Sequence, residues 1–172
     1  MTGRWIVSAM PIAAGFAALL AAAPAPAAPV KATMETQHYR LELDIGANEK
    51  MYSKAEADKT KPPSGEIMVS GAMAGMPMNQ AMPDGIAPRH LEVHVVSKAS
   101  GKTVRDAQVS ISITDAAGTQ ITVVPIAAMY GIQEGPEDWH YGNNVMIAPG
   151  EYRVLVTANG EQASFEVTLP AM

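Results

Sequence analysis

From Tyr39 to the C-terminus, short runs of residues alternate between apolar and polar with a period of two, and turn-forming residues close most of the runs. Tyr39, Leu41, Leu43 and Ile45 alternate with Arg40, Glu42 and Asp44. Leu91, Val93 and Val95 alternate with His90, Glu92 and His94, and Phe165, Val167 and Leu169 alternate with Glu166 and Thr168. Successive side chains of a strand point to opposite faces, so each run describes a strand with one buried face. The punctuation agrees. Asp115-Ala116-Ala117-Gly118 and Pro149-Gly150 are turns, and Asn159-Gly160 is the left-handed two-residue hairpin signal. The expectation is an all-β fold, an immunoglobulin-like antiparallel β-sandwich of about seven to eight strands. These strands are predicted at residues 39–45, 66–70, 89–96, 107–114, 120–124, 145–147, 151–158 and 163–169. Residues 46–65 read as a loop with one helical turn near 53–58. Residues 71–88 read as a Met-rich loop, and 129–141 as a second long loop.

The first residues have a different character. Arg4 precedes an apolar run over residues 5–23, and Ala25 and Ala27 supply small residues at an A-x-A site. That layout predicts a secretory signal peptide over residues 1–27, cleaved after Ala27. A retained anchor is the alternative, since the run is barely long enough to span a bilayer. Residues 28–38 read as a flexible leader, and residues 39–172 as a single β-sandwich domain. The expected location is the periplasm. The chain has no cysteine, which removes disulfides, thiolate metal sites and Cys nucleophiles together. Its formal charge of −5 gives a nucleic-acid partner no electrostatic support. No phosphate-binding glycine loop, nucleophile elbow or set-apart acid–base pair appears, so an enzyme is not expected.

Three groups of residues could carry chemistry. His90, Glu92 and His94 share the polar face of one strand. Imidazole and carboxylate suit iron, zinc, manganese and copper. Neighbours on that face are about 6.7 Å apart and the outer pair about 13 Å, so Glu92 can share an ion with either histidine, but both histidines on one ion would need a bent strand. A solvent-facing polar strip is the plain alternative. Met73, Met76, Met78 and Met82 are flanked by Gly, Ala and Pro, and thioethers are soft ligands that select Cu(I). Packing under the loop would also account for them. His140 lies between Trp139 and Tyr141 after the acidic residues Glu134, Glu137 and Asp138, and Met129 starts the same segment.

His90-Leu91-Glu92 on a strand, a later methionine and His140-Tyr141-Gly142 resemble the periplasmic iron-transport-associated proteins that accompany a high-affinity iron permease. The resemblance implies an immunoglobulin-like sandwich that binds copper or iron, with homodimerisation, and a metal site drawn from His90, Glu92, Met129 and His140. His94, Met73, Met76, Met78 and Met82 are secondary candidates. No histidine follows His140, where that family supplies a further ligand, and the stretch from Met129 to His140 is longer than the family pattern. The function so implied is capture of a copper or iron ion and its transfer to a membrane permease or oxidase. The rival expectation is a non-metal immunoglobulin-like interaction or structural module of the envelope.

Overall fold

A computed structural model describes residues 28–71 and 86–171. The predicted signal segment and Met73, Met76, Met78 and Met82 lie outside the described residues. Among the described residues no helix is long and apolar enough to cross a membrane.

The chain forms two sheets. The strands are β1 (Val30–Glu35), β2 (Tyr39–Ala47), β3 (Met51–Ser53), β4 (Glu66–Ser70), β5 (Ala87–Ser97), β6 (Val109–Asp115), β7 (Gln120–Val124), β8 (Ala127–Gly131), β9 (His140–Ile147), β10 (Gly150–Ala158) and β11 (Glu161–Leu169). One helix, α1 (Lys54–Thr60), is capped by the Ser53 hydroxyl, which accepts from the Glu56 amide. A seven-stranded sheet runs β1-β2-β5-β9-β8-β4-β3, and a four-stranded sheet runs β11-β10-β6-β7. All pairings are antiparallel except β3 with β4. The fold is therefore an all-β sandwich, as expected, but with eleven strands among the described residues where seven to eight were predicted.

The additional strands have identifiable causes. Val30–Glu35, read as part of a leader, pairs with β2 in unbroken register from Val30↔Ile45 to Glu35↔Arg40. Met51–Ser53 sits at the far edge of the same sheet and leads into α1, which answers to the helical turn expected near 53–58. Residues 129–141, read as one loop, instead contain the end of β8 and the start of β9, which pair directly at Met129↔His140. Both of these strands are buried almost throughout. A strand covered on both faces loses the period-two pattern that betrays a half-buried one.

The inner faces meet in one core. Leu41, Leu43, Leu91, Val93 and Val95 from the larger sheet pack against Ile111, Ile113, Val154, Val156 and Phe165 from the smaller. The Asn159-Gly160 hairpin is as read: both residues have positive φ, and Ala158 pairs with Glu161 across them. Alternation on β5 then has a fixed consequence. With Leu91, Val93 and Val95 in the core, His90, Glu92 and His94 emerge on the outer face of the larger sheet.

Candidate metal centre

The outer face is not a plain polar strip. His90 retains only 4% of its exposure and His140 none. Strand order brings them together, because β9 lies beside β5, with Glu92 opposite Gly142 and His90 opposite Asn144. A Cβ at position 142 would drive into the carbonyl of Leu91 on β5. The glycine of the His140-Tyr141-Gly142 run is thus what lets the two site-bearing strands approach. The His90 and His140 rings meet edge to face at 6.0 Å, and the His94 and His140 rings at 5.3 Å.

Glu66 completes the cluster and carries no local sequence signal. It opens β4, two strands beyond β9, opposite Gly131 on β8. Its Oε2 lies 3.3 Å from His140 Nε2. Glu92 Oε2 lies 3.4 Å from the same nitrogen and 3.7 Å from His90 Nε2. One donor atom from each of Glu66, His90, Glu92 and His140 falls within 4.8 Å of all the others. A tetrahedral ion with bonds of about 2.1 Å has donor–donor edges of about 3.4 Å, close to the 3.3, 3.4 and 3.7 Å of the three pairs above.

The outer nitrogens of the rings are held by hydrogen bonds that define their tautomers. Asn144 pairs with the backbone of Glu49 through both amide atoms: its Nδ2 donates to the Glu49 carbonyl at 2.7 Å, and its Oδ1 accepts the Glu49 amide at 3.3 Å. That pairing fixes Oδ1 as an acceptor, so His90 Nδ1, 3.0 Å away, is the donor. His140 Nδ1 likewise donates to the backbone carbonyl of Asp138 at 2.8 Å. In the neutral rings both Nε2 atoms therefore carry lone pairs aimed into the cluster. Nδ1 bonded to an oxygen with Nε2 presented inward is the arrangement found in metal-bound histidine.

The inward atoms face one another rather than solvent. With neutral rings, His90 Nε2, His140 Nε2 and Glu66 Oε2 are all buried and make no hydrogen bond, although His140 Nε2 and Glu66 Oε2 lie 3.3 Å apart. Such groups are costly to bury unless something compensates them. Without an ion the compensation is a proton. Burial disfavours a charged His140, but hydrogen bonding to Asp138 and Glu66 and the charges of Glu92 and Glu66 outweigh it, raising its pKa to about 10. Burial also pushes Glu92 and Asp138 upward, but the surrounding histidines hold both carboxyls below their ordinary values.

The expected residues are placed as follows. His90, Glu92 and His140 share the cluster. Met129 is fully buried directly across from His140 and faces the same side, so the two Cβ atoms stand about 4.5–5.5 Å apart. It packs with Met51, Ala127 and Met68. His94 joins a second group with Asp138 and His140 rather than the group containing His90. Glu66, Asp138 and Asn144 were not among the expected residues.

A bowl of about 590 Å³ opens above the cluster, with seven carboxylates and a single lysine, Lys31, among its lining residues. Compared with protein-family models, curated proteins and solved structures, the chain has no match.

Proposed function

We propose that this protein binds a divalent metal ion on Glu66, His90, Glu92 and His140 and acts as a periplasmic copper or iron carrier, passing the ion to a membrane permease or oxidase. The observation that carries this reading is the convergence of His90 Nε2, His140 Nε2 and Glu66 Oε2, buried and with no hydrogen bond in the neutral rings, on one point beside Glu92. Two imidazoles and two carboxylates form a borderline-to-hard donor set that suits Fe(II), Cu(II), Zn(II) and Mn(II). Met129, opposite His140 on β8, adds the soft donor type that the resemblance to iron-transport-associated proteins implies. Without thiolates, the ligands exchange readily, as a carrier requires. The acidic bowl favours cations over anions at the entrance.

Calorimetric titration of the metal-stripped protein with Cu(II) and with Fe(II) under anaerobic conditions tests this. At least one equivalent should bind, and His90→Ala combined with Glu92→Ala should abolish uptake. No heat and no retained metal for either ion would remove the reading. The chain would then be better understood as a non-metal envelope module.

A further inference from the structure

The bowl already contains a cation supplied by the chain. Lys31 lies on β1, the edge strand of the larger sheet, and no other lysine or arginine is among the described lining residues. Register places it. Lys31 pairs with Asp44 on β2, and Asp44 with Glu92 on β5, so the three form one row across neighbouring strands on the outer face. Strands lie about 4.8 Å apart, which puts Lys31 and Glu92 about 10 Å apart along the row. The Lys31 ammonium is ion-paired with the Asp44 carboxylate between them. The Lys31 side chain is 72% exposed and that of Asp44 only 16%, so an exposed arm ends on a carboxylate set inside the bowl.

We propose that Lys31 is a tethered competitor for the ion: its ammonium repels a divalent cation held on Glu66, His90, Glu92 and His140 and thereby sets how tightly that cation is bound. This inference rests on the metal-binding reading above.

The pair with Asp44 is too exposed on the lysine side to contribute much to the fold. Its position in the field of the centre is the stronger consequence. Hydrogen bonding to Asp44 and the charge of Asp44 raise the Lys31 pKa against the opposing effect of burial, and the charges of Glu92 and Asp138 raise it further. The carboxylates that favour an ammonium at this place are the ones that attract an arriving metal ion. Arg40 is arranged differently: it pairs with Glu42, 2.6 Å away, but does not itself line the bowl.

Repulsion between Lys31 and a bound ion grows with the charge of the ion and weakens as salt screens it. A carrier has to release what it binds. A fixed positive charge beside the site lowers affinity without removing a ligand. Asp44 moderates the effect by holding the ammonium one strand away from Glu92. Without Asp44 the arm is free to swing toward Glu92 and compete directly for its carboxylate.

The experiment measures Zn(II) affinity of the metal-stripped protein by competition with a chromophoric chelator, at about 0.01 M and about 1 M salt. Lys31→Gln should bind Zn(II) about three- to tenfold more tightly than wild type at the lower salt, and the gain should vanish at the higher. Lys31→Arg, which keeps the charge, should match wild type, and circular dichroism of both variants should match wild type. Asp44→Asn should weaken binding more in the wild-type background than in Lys31→Gln, because only the former has an ammonium to release. Equal or weaker binding by Lys31→Gln at low salt, or a gain that persists at high salt, would overturn the competitor and leave the metal site standing. Absence of Zn(II) binding by wild type would overturn both.

Discussion

The two faces of β5 have the same backbone and the same period, yet opposite contents. Leu91, Val93 and Val95 are sealed in the core with no exposure, each against apolar neighbours. One residue away on either side, His90, Glu92 and His94 face a cluster of titratable groups drawn from β4, β9 and the loop before β9. The inner face stabilises the fold by removing apolar area from water. The outer face buries charged and polar groups, which costs free energy unless a partner compensates them. A strand can thus serve the fold with one set of side chains and a site with the other, and substitutions should separate the two roles.

The largest stability effect is expected on the inner face. Leu91→Ala should cost about 2–5 kcal/mol in urea denaturation, from lost burial plus the cavity left behind. A loss below about 1 kcal/mol would mean the two sheets are not packed as described. Glu92→Gln, the next residue, should invert that pattern. Its metal-free stability should fall by less than that of Leu91→Ala, since Glu66 and Asp138 still face His140, while affinity for the ion falls by about 100-fold, because the variant loses an anionic group that faces three histidines. Equal losses of stability in the two variants would erase the contrast between the faces.

A smaller effect is expected from a residue that touches no ion. Asn144→Ala removes the acceptor that orients His90 and should weaken metal affinity about 10–100-fold. Unchanged affinity would show that His90 is not held in its tautomer by this bond. The smallest effect lies far from the cluster. Hydrogen bonding from Thr36 and from the His38 backbone and ring holds the Glu161 carboxyl at about 2. With the folded value below the ordinary 4.5, the stabilisation is complete above that range and is lost as pH falls toward 2. Glu161→Gln should flatten the acid limb of a melting-temperature profile slightly and leave metal affinity unchanged. A shift in affinity would show the cluster to be coupled to the remote edge of the sandwich.

Much of this arrangement was legible in the chain itself. The inner and outer sets on β5 follow from alternation, and the β10–β11 hairpin from Asn159-Gly160. That His90, Glu92 and His140 belong together came from their residue types and from a short resemblance. Their juxtaposition depends on β9 lying beside β5, which no local pattern states. Glu66 was illegible for the same reason in stronger form: it reaches His140 only because β4, β8 and β9 are neighbours in the sheet. β8 left no alternation to read, since Ala127, Ala128 and Met129 are covered on both sides. β1 reads as part of a flexible leader in the sequence because its residues are mostly exposed and its order comes from pairing with β2. Asn144 and Asp138 act through hydrogen bonds and ion pairs that only the folded chain defines.

The central claim is that an ion sits among Glu66, His90, Glu92 and His140. Extended X-ray absorption fine structure at the copper edge, on protein loaded with one equivalent of Cu(II), addresses it directly. The expected spectrum has a first shell of nitrogen and oxygen at about 2.0 Å with the outer-shell scattering of two imidazole rings. A spectrum without imidazole scattering, matching the hydrated ion, would contradict it.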